Sequence, residues 1–136
     1  MELLAGWCVR LIMEKIKFTT SKKKELVDIT EIVNMYLGKA KITKGLCHLF
    51  LPHTTAGLTT ALISPERELD LIDIFEVALP HFTDPRQKHE HSHIMSRLPD
   101  HIISSFLGTS LAIPVIAGKL ALGEFQRVVL VELNGP

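Results

Sequence analysis

Residues 45–63 read GLCHLFLPHTTAGLTTALI, two apolar runs on either side of the polar stretch Pro52-His53-Thr54-Thr55. Each run has the length of one strand and is rich in residues that favour strands, whereas a proline, a histidine and two threonines between them are typical of a turn. The segment therefore predicts two strands joined by a turn that holds its polar side chains at one edge of a sheet.

The remaining patterns predict further strands and two or three helices. Apolar residues alternate with lysines over residues 9–20, as in a half-buried strand. Asp28 and Glu31 have the spacing of a capping box, and apolar residues follow at helical spacing up to Gly38. The predicted elements are strands at 9–20, 45–51, 57–63, 111–116, 119–122 and 125–133, helices at 28–38, 64–80 and 99–106, and a polar loop at 81–96.

The order of these elements indicates the fold class. Strands outnumber helices, and the helices do not alternate regularly with them, so the sequence predicts an α+β fold with a mostly antiparallel sheet layer and helices on one side. The 136 residues fit one domain, 1–136, and no repeat or linker divides them.

Composition restricts the partners and the compartment. Fifteen basic residues balance fifteen acidic ones, so the general attraction of a basic protein to nucleic acid or to an anionic membrane is missing. No stretch is long and apolar enough for a membrane span, and the two dispersed cysteines match neither a disulfide framework nor a redox pair. These features predict a cytoplasmic protein that binds neither nucleic acid nor membrane.

Histidine is unusually frequent, with seven in the chain. His89, His91 and His93 lie in the predicted polar loop. Alternate histidines there either present imidazoles to a transition metal such as zinc or form an exposed polar surface. The spacing alone leaves both alternatives open.

His53 differs from these histidines because it follows an apolar strand directly and is therefore held at a defined edge. A histidine in that position can act as ligand, acid or base. Thr54, Thr55 and Gly57 offer hydroxyls and backbone amides suited to a phosphate or another oxyanion. The alternative is a turn in which these groups only cap the backbone. Asp70, on the second predicted helix, faces either solvent or a site.

Four short motifs occur in order along the chain. They are HTTAGLT at 53–59, HI at 101–102 leading to LGTS at 107–110, IPV at 113–115 with Gly118, and LGEFQ at 122–126. In this order and spacing they resemble the YjbQ-like family, also called secondary thiamine-phosphate synthases. The resemblance covers nearly the whole chain.

The resemblance implies an α+β fold with a β-sandwich-like layer that assembles as a homotrimer. It also implies weak thiamine-phosphate synthase activity on phosphorylated small molecules, in which a pyrimidine diphosphate is joined to a thiazole phosphate, with an unsettled physiological role. On this basis the candidate catalytic residues are His53, Asp70 and Gln126, the candidate substrate-binding residues are Thr54, Thr55 and Gly57, and the candidate ligands of a divalent metal, zinc or magnesium, are His53, His91 and His101.

One departure from the family pattern divides the functional hypotheses. Where the family continues its histidine-threonine strand with Asn-Glu-Asn, this chain has Ala61, Leu62 and Ile63, so a carboxylate and two amides are missing. The first hypothesis is a trimeric enzyme that acts on a phosphorylated small molecule. The second is a non-catalytic trimer that binds a metal or a ligand, and the missing polar side chains favour it.

Overall fold

The computed structural model describes residues 11–63 and 100–135. None of the helices there is long and apolar enough to cross a membrane. Antiparallel strands mixed with helices confirm the predicted α+β class. The elements are β1 (Glu25–Asp28), α1 (Thr30–Lys39), β2 (Lys44–Phe50), β3 (Ala56–Ala61), α2 (Asp100–Leu107), β4 (Ser110–Ile116), β5 (Lys119–Leu120) and β6 (Arg127–Glu132).

These strands form two antiparallel sheets of three strands each. Sheet A has the order β1-β6-β3, and sheet B has the order β2-β4-β5. The strands β2 and β3 flank the polar turn in the sequence but belong to different sheets. The turn at residues 52–55 therefore crosses from one sheet to the other, and the two sheets form the predicted sandwich-like layer.

The central strand of sheet A, β6, is apolar between its terminal residues Arg127 and Glu132 because both faces of the sheet are covered. Val128 and Leu130 belong to the core cluster that sheet B and α1 share with sheet A, whereas Val129 and Val131 pack beneath α2. Successive side chains of a strand point to opposite faces, so these two clusters lie on opposite sides of sheet A. The layers are therefore sheet B with α1, then sheet A, then α2, so the prediction that the helices lie on one side is wrong for these two helices.

The helix α1 begins directly after β1 because side chains satisfy the backbone groups at the junction. Asp28 Oδ1 accepts the Thr30 N–H at 2.9 Å, but the N-cap of α1 is Ile29 and no side chain caps it, so the predicted capping box is wrong. Thr30 Oγ1 in turn accepts the Val128 N–H at 2.8 Å. Glu31, the other residue of the predicted capping box, lies instead 3.7 Å from Arg127 Nη1.

Residues 11–20, which belong to the predicted first strand, do not form a strand in the structure. Residues 11–20 belong to no ladder, although their exposure alternates as predicted, with Ile12, Ile16 and Phe18 less exposed than the lysines between them. The alternation shows that one side of this extended segment is apolar. A strand also needs a backbone partner, and the pattern of side chains carries no information on that partner.

Other predicted boundaries shift by a few residues. The strand predicted at 125–133 begins at Arg127, because the Gln126 N–H donates to the Gly123 carbonyl at 3.0 Å and closes a turn. The strand predicted at 119–122 is reduced to Lys119–Leu120. The short helix predicted at 99–106 is confirmed as α2. The predicted helix at 64–80 and the loop at 81–96 lie outside the described residues.

Candidate functional site

The turn at residues 52–55 is anchored at both of its ends. The His53 N–H donates to the Leu51 carbonyl at 2.9 Å, and the Thr55 carbonyl accepts the Leu133 N–H at 3.1 Å. The first bond tightens the chain just after β2, and the second joins the start of β3 to the end of β6. The side chains of His53 and Thr54 are exposed between these anchors.

The ring of His53 is oriented by the backbone that follows it. The Thr55 N–H lies 3.2 Å from His53 Nδ1, and Thr55 Oγ1 lies 3.3 Å from the same atom. A backbone N–H can only donate, so Nδ1 is the acceptor. In a neutral imidazole the proton is then on Nε2. The turn therefore presents an Nε2–H group rather than an Nε2 lone pair.

One buried serine fastens α2 to this turn. Ser104 Oγ lies 2.6 Å from the Thr54 carbonyl oxygen and 3.0 Å from the His101 carbonyl oxygen. His101 is three residues earlier on α2, so it lies on the same helical face as Ser104, about 4.5 Å along the axis. The structure therefore brings His101, which is exposed, to the same end of the molecule as the turn.

Gly57 is buried at the point where α2 ends. A Cβ on this residue would lie 2.6 Å from Leu107 Cβ and 3.2 Å from the Gly108 carbonyl oxygen, so any larger residue would push α2 away from β3. The next amide, the Leu58 N–H, donates to the Gly108 carbonyl at 3.0 Å. The structure thus gives Gly57 a packing role, and its predicted contact with a substrate stays a prediction.

Glu132 is a carboxylate at this end of sheet A that the sequence reasoning missed. It opposes Ala56 on β3 and Glu25 on β1, and it is only 8% exposed. Its Oε1 accepts the N–H groups of Leu133 at 3.0 Å and Asn134 at 3.1 Å. The available signal was a single acidic residue within the apolar run of β6.

Gln126 lies at the opposite end of β3. Its Nε2 donates to Thr60 Oγ1 at 3.0 Å, and its Oε1 accepts the Gly123 N–H at 3.1 Å. Thr60 follows Thr55 by five residues, which is roughly 16 Å along an extended strand. Within one chain Gln126 braces the β5–β6 connection far from His53. Its predicted catalytic role stays a prediction, and it would require a neighbouring copy.

Two predicted site residues, Asp70 and His91, lie outside the residues that the structure describes. In the described segments, 11–63 and 100–135, no three histidine, cysteine or acidic side chains are close enough together to hold a metal ion. The predicted metal site of His53, His91 and His101 stays a prediction. Cys47 is a free, half-buried thiol, and burial raises its pKa, as expected for a reduced structural cysteine.

Comparison with known proteins places this geometry in a family. The model of the family described as UPF0047 protein YjbQ-like matches residues 14–136. The chain belongs to the UPF0047 YjbQ-like family. It is 31% identical over 127 residues to the UPF0047 protein YugU of Bacillus subtilis, with 92% of each chain covered. It is 35% identical over 103 residues to the UPF0047 protein YjbQ of Escherichia coli O157:H7, and the aligned region covers 75% of this chain and 72% of the E. coli protein.

Solved structures of UPF0047 proteins agree with this assignment. An uncharacterised YjbQ/UPF0047 family protein of Clostridium acetobutylicum matches with a TM-score of 0.70 at 28% identity, over 88% of each chain. A YbjQ-like protein of unknown function from Sulfolobus solfataricus matches with a TM-score of 0.70 at 28% identity, over 88% of this chain and 83% of that one. The family resemblance drawn from the four motifs is confirmed.

This UPF0047 chain also has a local feature that bears on its chemistry. Ala61 is the last residue of β3 and pairs with Arg127, and Leu62 beyond it is 52% exposed. The polar side chains that the resemblance predicts at 61–63 are thus replaced by apolar ones, at the end of β3 where Gln126 contacts Thr60. The turn with His53 lies at the other end and is intact.

Proposed function

We propose that the chain binds a phosphorylated small molecule at the 52–55 turn. In the full form of this proposal it acts as a homotrimer that joins a pyrimidine diphosphate to a thiazole phosphate. The observation that carries the proposal is the hydrogen bond from the Thr55 N–H to His53 Nδ1, at 3.2 Å. It leaves the Nε2–H of an exposed ring as a donor, and phosphate oxygens accept such donors.

The proposed reaction needs a hydrogen-bond donor beside the diphosphate, and the Nε2–H of His53 can supply one. A carbon–nitrogen bond forms between the thiazole nitrogen and the pyrimidine methylene carbon, while the bond from that carbon to the diphosphate oxygen breaks. Negative charge then accumulates on the departing diphosphate. An oriented Nε2–H stabilises that charge as it develops. The exposed Thr54 hydroxyl and the His101 imidazole are further donors at the same end of the molecule.

The hydrogen bond from the Thr55 N–H to His53 Nδ1 also affects whether His53 can bind the predicted metal. Zinc would bind the Nε2 lone pair of His53, which requires the ring proton to be on Nδ1. Nδ1 would then no longer accept from Thr55. Magnesium prefers oxygen ligands, so it would arrive bound to the phosphate oxygens of the ligand. We therefore favour a phosphorylated ligand, alone or with magnesium, over a zinc site at His53.

The homotrimer part of the proposal draws on the outer face of sheet B. On that face Leu46 pairs with Pro114 and Phe50 pairs with Ser110. Three large apolar side chains are mostly exposed, Leu46 by 68%, Phe50 by 65% and Ile116 by 63%. Large apolar side chains clustered on one exposed face, here beside Lys44 and His48, often mark a protein–protein contact. A second copy of the chain would cover this face.

A second candidate function is non-catalytic binding of the same class of ligand. The apolar side chains of Ala61, Leu62 and Ile63 favour it, because they remove the carboxylate and amides that the resemblance predicts at the end of β3 opposite the turn. This candidate shares the phosphate-binding turn with the first one. The two differ only in whether a product forms.

The experiment measures binding of inorganic diphosphate by titration calorimetry to three variants of the whole chain. His53→Asn places an amide oxygen near the position of Nδ1, so it still accepts from Thr55 but lacks the outer donor. His53→Gln places an amide near the position of Nε2 and restores a donor. His48→Asn, at an exposed histidine of β2, is the matched control, and light scattering checks its oligomeric state because His48 lies on the outer face of sheet B.

We expect His53→Asn to weaken diphosphate binding at least tenfold at unchanged unfolding temperature, His53→Gln to retain part of the affinity, and His48→Asn to bind as the wild type does. Equal affinity of His53→Asn and wild type would refute the proposed site. Formation of thiamine phosphate from the two phosphorylated substrates then separates the two candidates. Diphosphate binding without product would support the non-catalytic one.

A further inference from the structure

Residues 21–24 form a loop whose backbone is held by a carboxylate. The side chain of Glu25 accepts the Ser21 N–H at 2.7 Å and the Lys22 N–H at 3.3 Å, both through Oε2. The Ser21 hydroxyl lies 3.2 Å from the other carboxylate oxygen, Oε1. The loop has the sequence Ser-Lys-Lys-Lys, so three consecutive lysines are carried on a backbone that is fixed at its base. We call residues 21–24 the lysine loop.

The lysine loop lies at the end of sheet A that carries the 52–55 turn. Glu25, the first residue of β1, is opposite Glu132 of β6, which is in turn opposite Ala56 of β3. Glu25 directly follows the lysine loop, and Ala56 directly follows the turn. Neighbouring strands are about 4.8 Å apart, so the loop and the turn are separated by two strand spacings, roughly 10 Å, across β6.

The chain that follows β6 is bonded to both the turn and the lysine loop. The Leu133 N–H donates to the Thr55 carbonyl at 3.1 Å, and the Gly135 N–H donates to the Lys23 carbonyl at 3.0 Å. Residues 133–135 therefore hold the turn on one side and the lysine loop on the other. The distance between the loop and the turn is thus set by backbone hydrogen bonds.

The two carboxylates nearest the lysine loop are already hydrogen-bonded to backbone amides. Glu132 accepts the N–H groups of the next two residues, and Glu25 accepts two N–H groups of the loop. The Ser21 amide is the main reason that the pKa of Glu25 is lowered, and the charge of Lys22 contributes less. The side chains of Lys22 and Lys23 are exposed, so an anion can reach both ammonium groups.

From these features we propose that the lysine loop is a second anion-binding subsite, which holds the far phosphate of a ligand whose first phosphate lies at the 52–55 turn. The inference rests on the proposed function, because the turn supplies the first subsite. It narrows the substrate class to molecules that carry two phosphate groups separated by a spacer. Lysine suits this role because its ammonium is a compact charge on a flexible stem and binds phosphate as a point charge.

The competing explanation is that the lysines only offset negative charge. Glu25 and Glu132 are directly opposite each other on neighbouring strands, and like charges in that position are destabilising. On this explanation, removal of two lysines would lower the stability of the chain and leave its ligand affinity unchanged. On our proposal, the same removal weakens the binding of those ligands that reach the loop.

The test compares two ligands that differ by one phosphate, hexanediol bisphosphate and hexanediol monophosphate. Both are titrated by calorimetry into the whole chain at about 0.15 M salt, where exposed charges more than about 8 Å apart are largely screened. The loop variant is Lys22→Gln with Lys23→Gln. The matched control is Lys39→Gln with Lys41→Gln, which removes the same charge from exposed positions before β2. The seven residues of β2 separate these positions from the turn by roughly 20 Å.

We expect the wild type to bind the bisphosphate more tightly than the monophosphate. The loop variant should lose about fivefold in affinity for the bisphosphate, because two exposed ion pairs to a phosphate are removed. Its affinity for the monophosphate and for inorganic diphosphate should stay within twofold of wild type, and the control variant should bind every ligand as the wild type does. If the loop variant does not fold, Lys23→Gln alone is compared in the same way.

A bisphosphate affinity of the loop variant within twofold of wild type, or an equal loss in the control variant, would overturn the proposal. A lower unfolding temperature with unchanged affinity would support charge compensation instead. If inorganic diphosphate binds and depends on His53, but the bisphosphate has no advantage over the monophosphate, the second subsite alone is refuted. If the wild type binds none of these ligands, the proposed function is refuted as well.

Discussion

Replacement of Gly57 by alanine tests the packing that holds α2 against the candidate site. The added Cβ would lie 2.6 Å from Leu107 Cβ and 3.1 Å from Leu107 Cδ1. Rotation of Leu107 can move its Cδ1 but cannot move its Cβ, so relief requires a shift of the helix end itself. Overpacking of this kind costs about 2 kcal/mol. For a chain of this length, that loss lowers the unfolding temperature by roughly 7 °C.

The matched control for this substitution is Gly38→Ala, within α1. A Cβ at Gly38 would meet nothing within 4 Å, and alanine is more favourable than glycine in a helix by about 0.5–1 kcal/mol. Gly38→Ala should therefore be neutral or slightly stabilising. The assay is thermal unfolding followed by circular dichroism, together with the diphosphate titration.

Gly57→Ala should also weaken diphosphate binding, because a shift of α2 moves Ser104 away from the Thr54 carbonyl that it holds at 2.6 Å. An unfolding temperature equal to that of wild type, with Gly38→Ala behaving as expected, would show that the close approach of α2 to Gly57 does not constrain the fold. The packing argument would then be wrong, whatever the ligand affinity.

Three further substitutions test other parts of the structure. Ser104→Ala should destabilise the chain by about 1 kcal/mol and weaken diphosphate binding. The hydroxyl of Ser105 bonds to the Ile102 carbonyl within α2, so the control Ser105→Ala should leave diphosphate binding unchanged in the same titration. Thr30→Val should lower the free energy of unfolding in urea by about 1–3 kcal/mol, because it leaves a buried β6 amide without its acceptor; an unchanged urea midpoint would contradict this. The Ser21 backbone N–H, at 2.7 Å, lowers the pKa of Glu25. The stability that this carboxylate contributes is therefore present above the ordinary pKa of a glutamate and lost as the pH falls through the lowered value. Glu25→Gln should unfold at lower urea than wild type near pH 7, with the difference vanishing in strong acid, and a difference that grows in acid would reject the assignment.

The elements that sequence patterns predicted correctly depend on short stretches of chain. The helix after β1 followed from Asp28 and the spacing of the apolar residues behind it, and the structure has the aspartate bonded to the Thr30 N–H. The segment at 11–20 shows the limit of such patterns. Alternation reports which side of an extended chain is apolar, but the partner that would make it a strand is remote in sequence.

For the candidate site, too, the sequence identified some residues from local patterns but did not predict which of them lie together. His53 and its two threonines were identified because they interrupt apolar runs, and the structure places them together with His101 at one end of the molecule. Gln126 was grouped with them on resemblance, yet it contacts Thr60 at the other end of β3. Glu132 was overlooked because a single acidic residue in an apolar strand has no local pattern that marks it.

The sequence by itself determined the family, the α+β class and the position of the turn that carries His53, because motif order, composition and local periodicity are properties of the chain as written. Only the tertiary structure decided that β2 and β3 enter different sheets, that the Thr55 amide reaches Nδ1 of His53, and that Gln126 lies far from that ring. Each of these depends on strand pairing and on distances between atoms, which arise only when remote segments pack against one another.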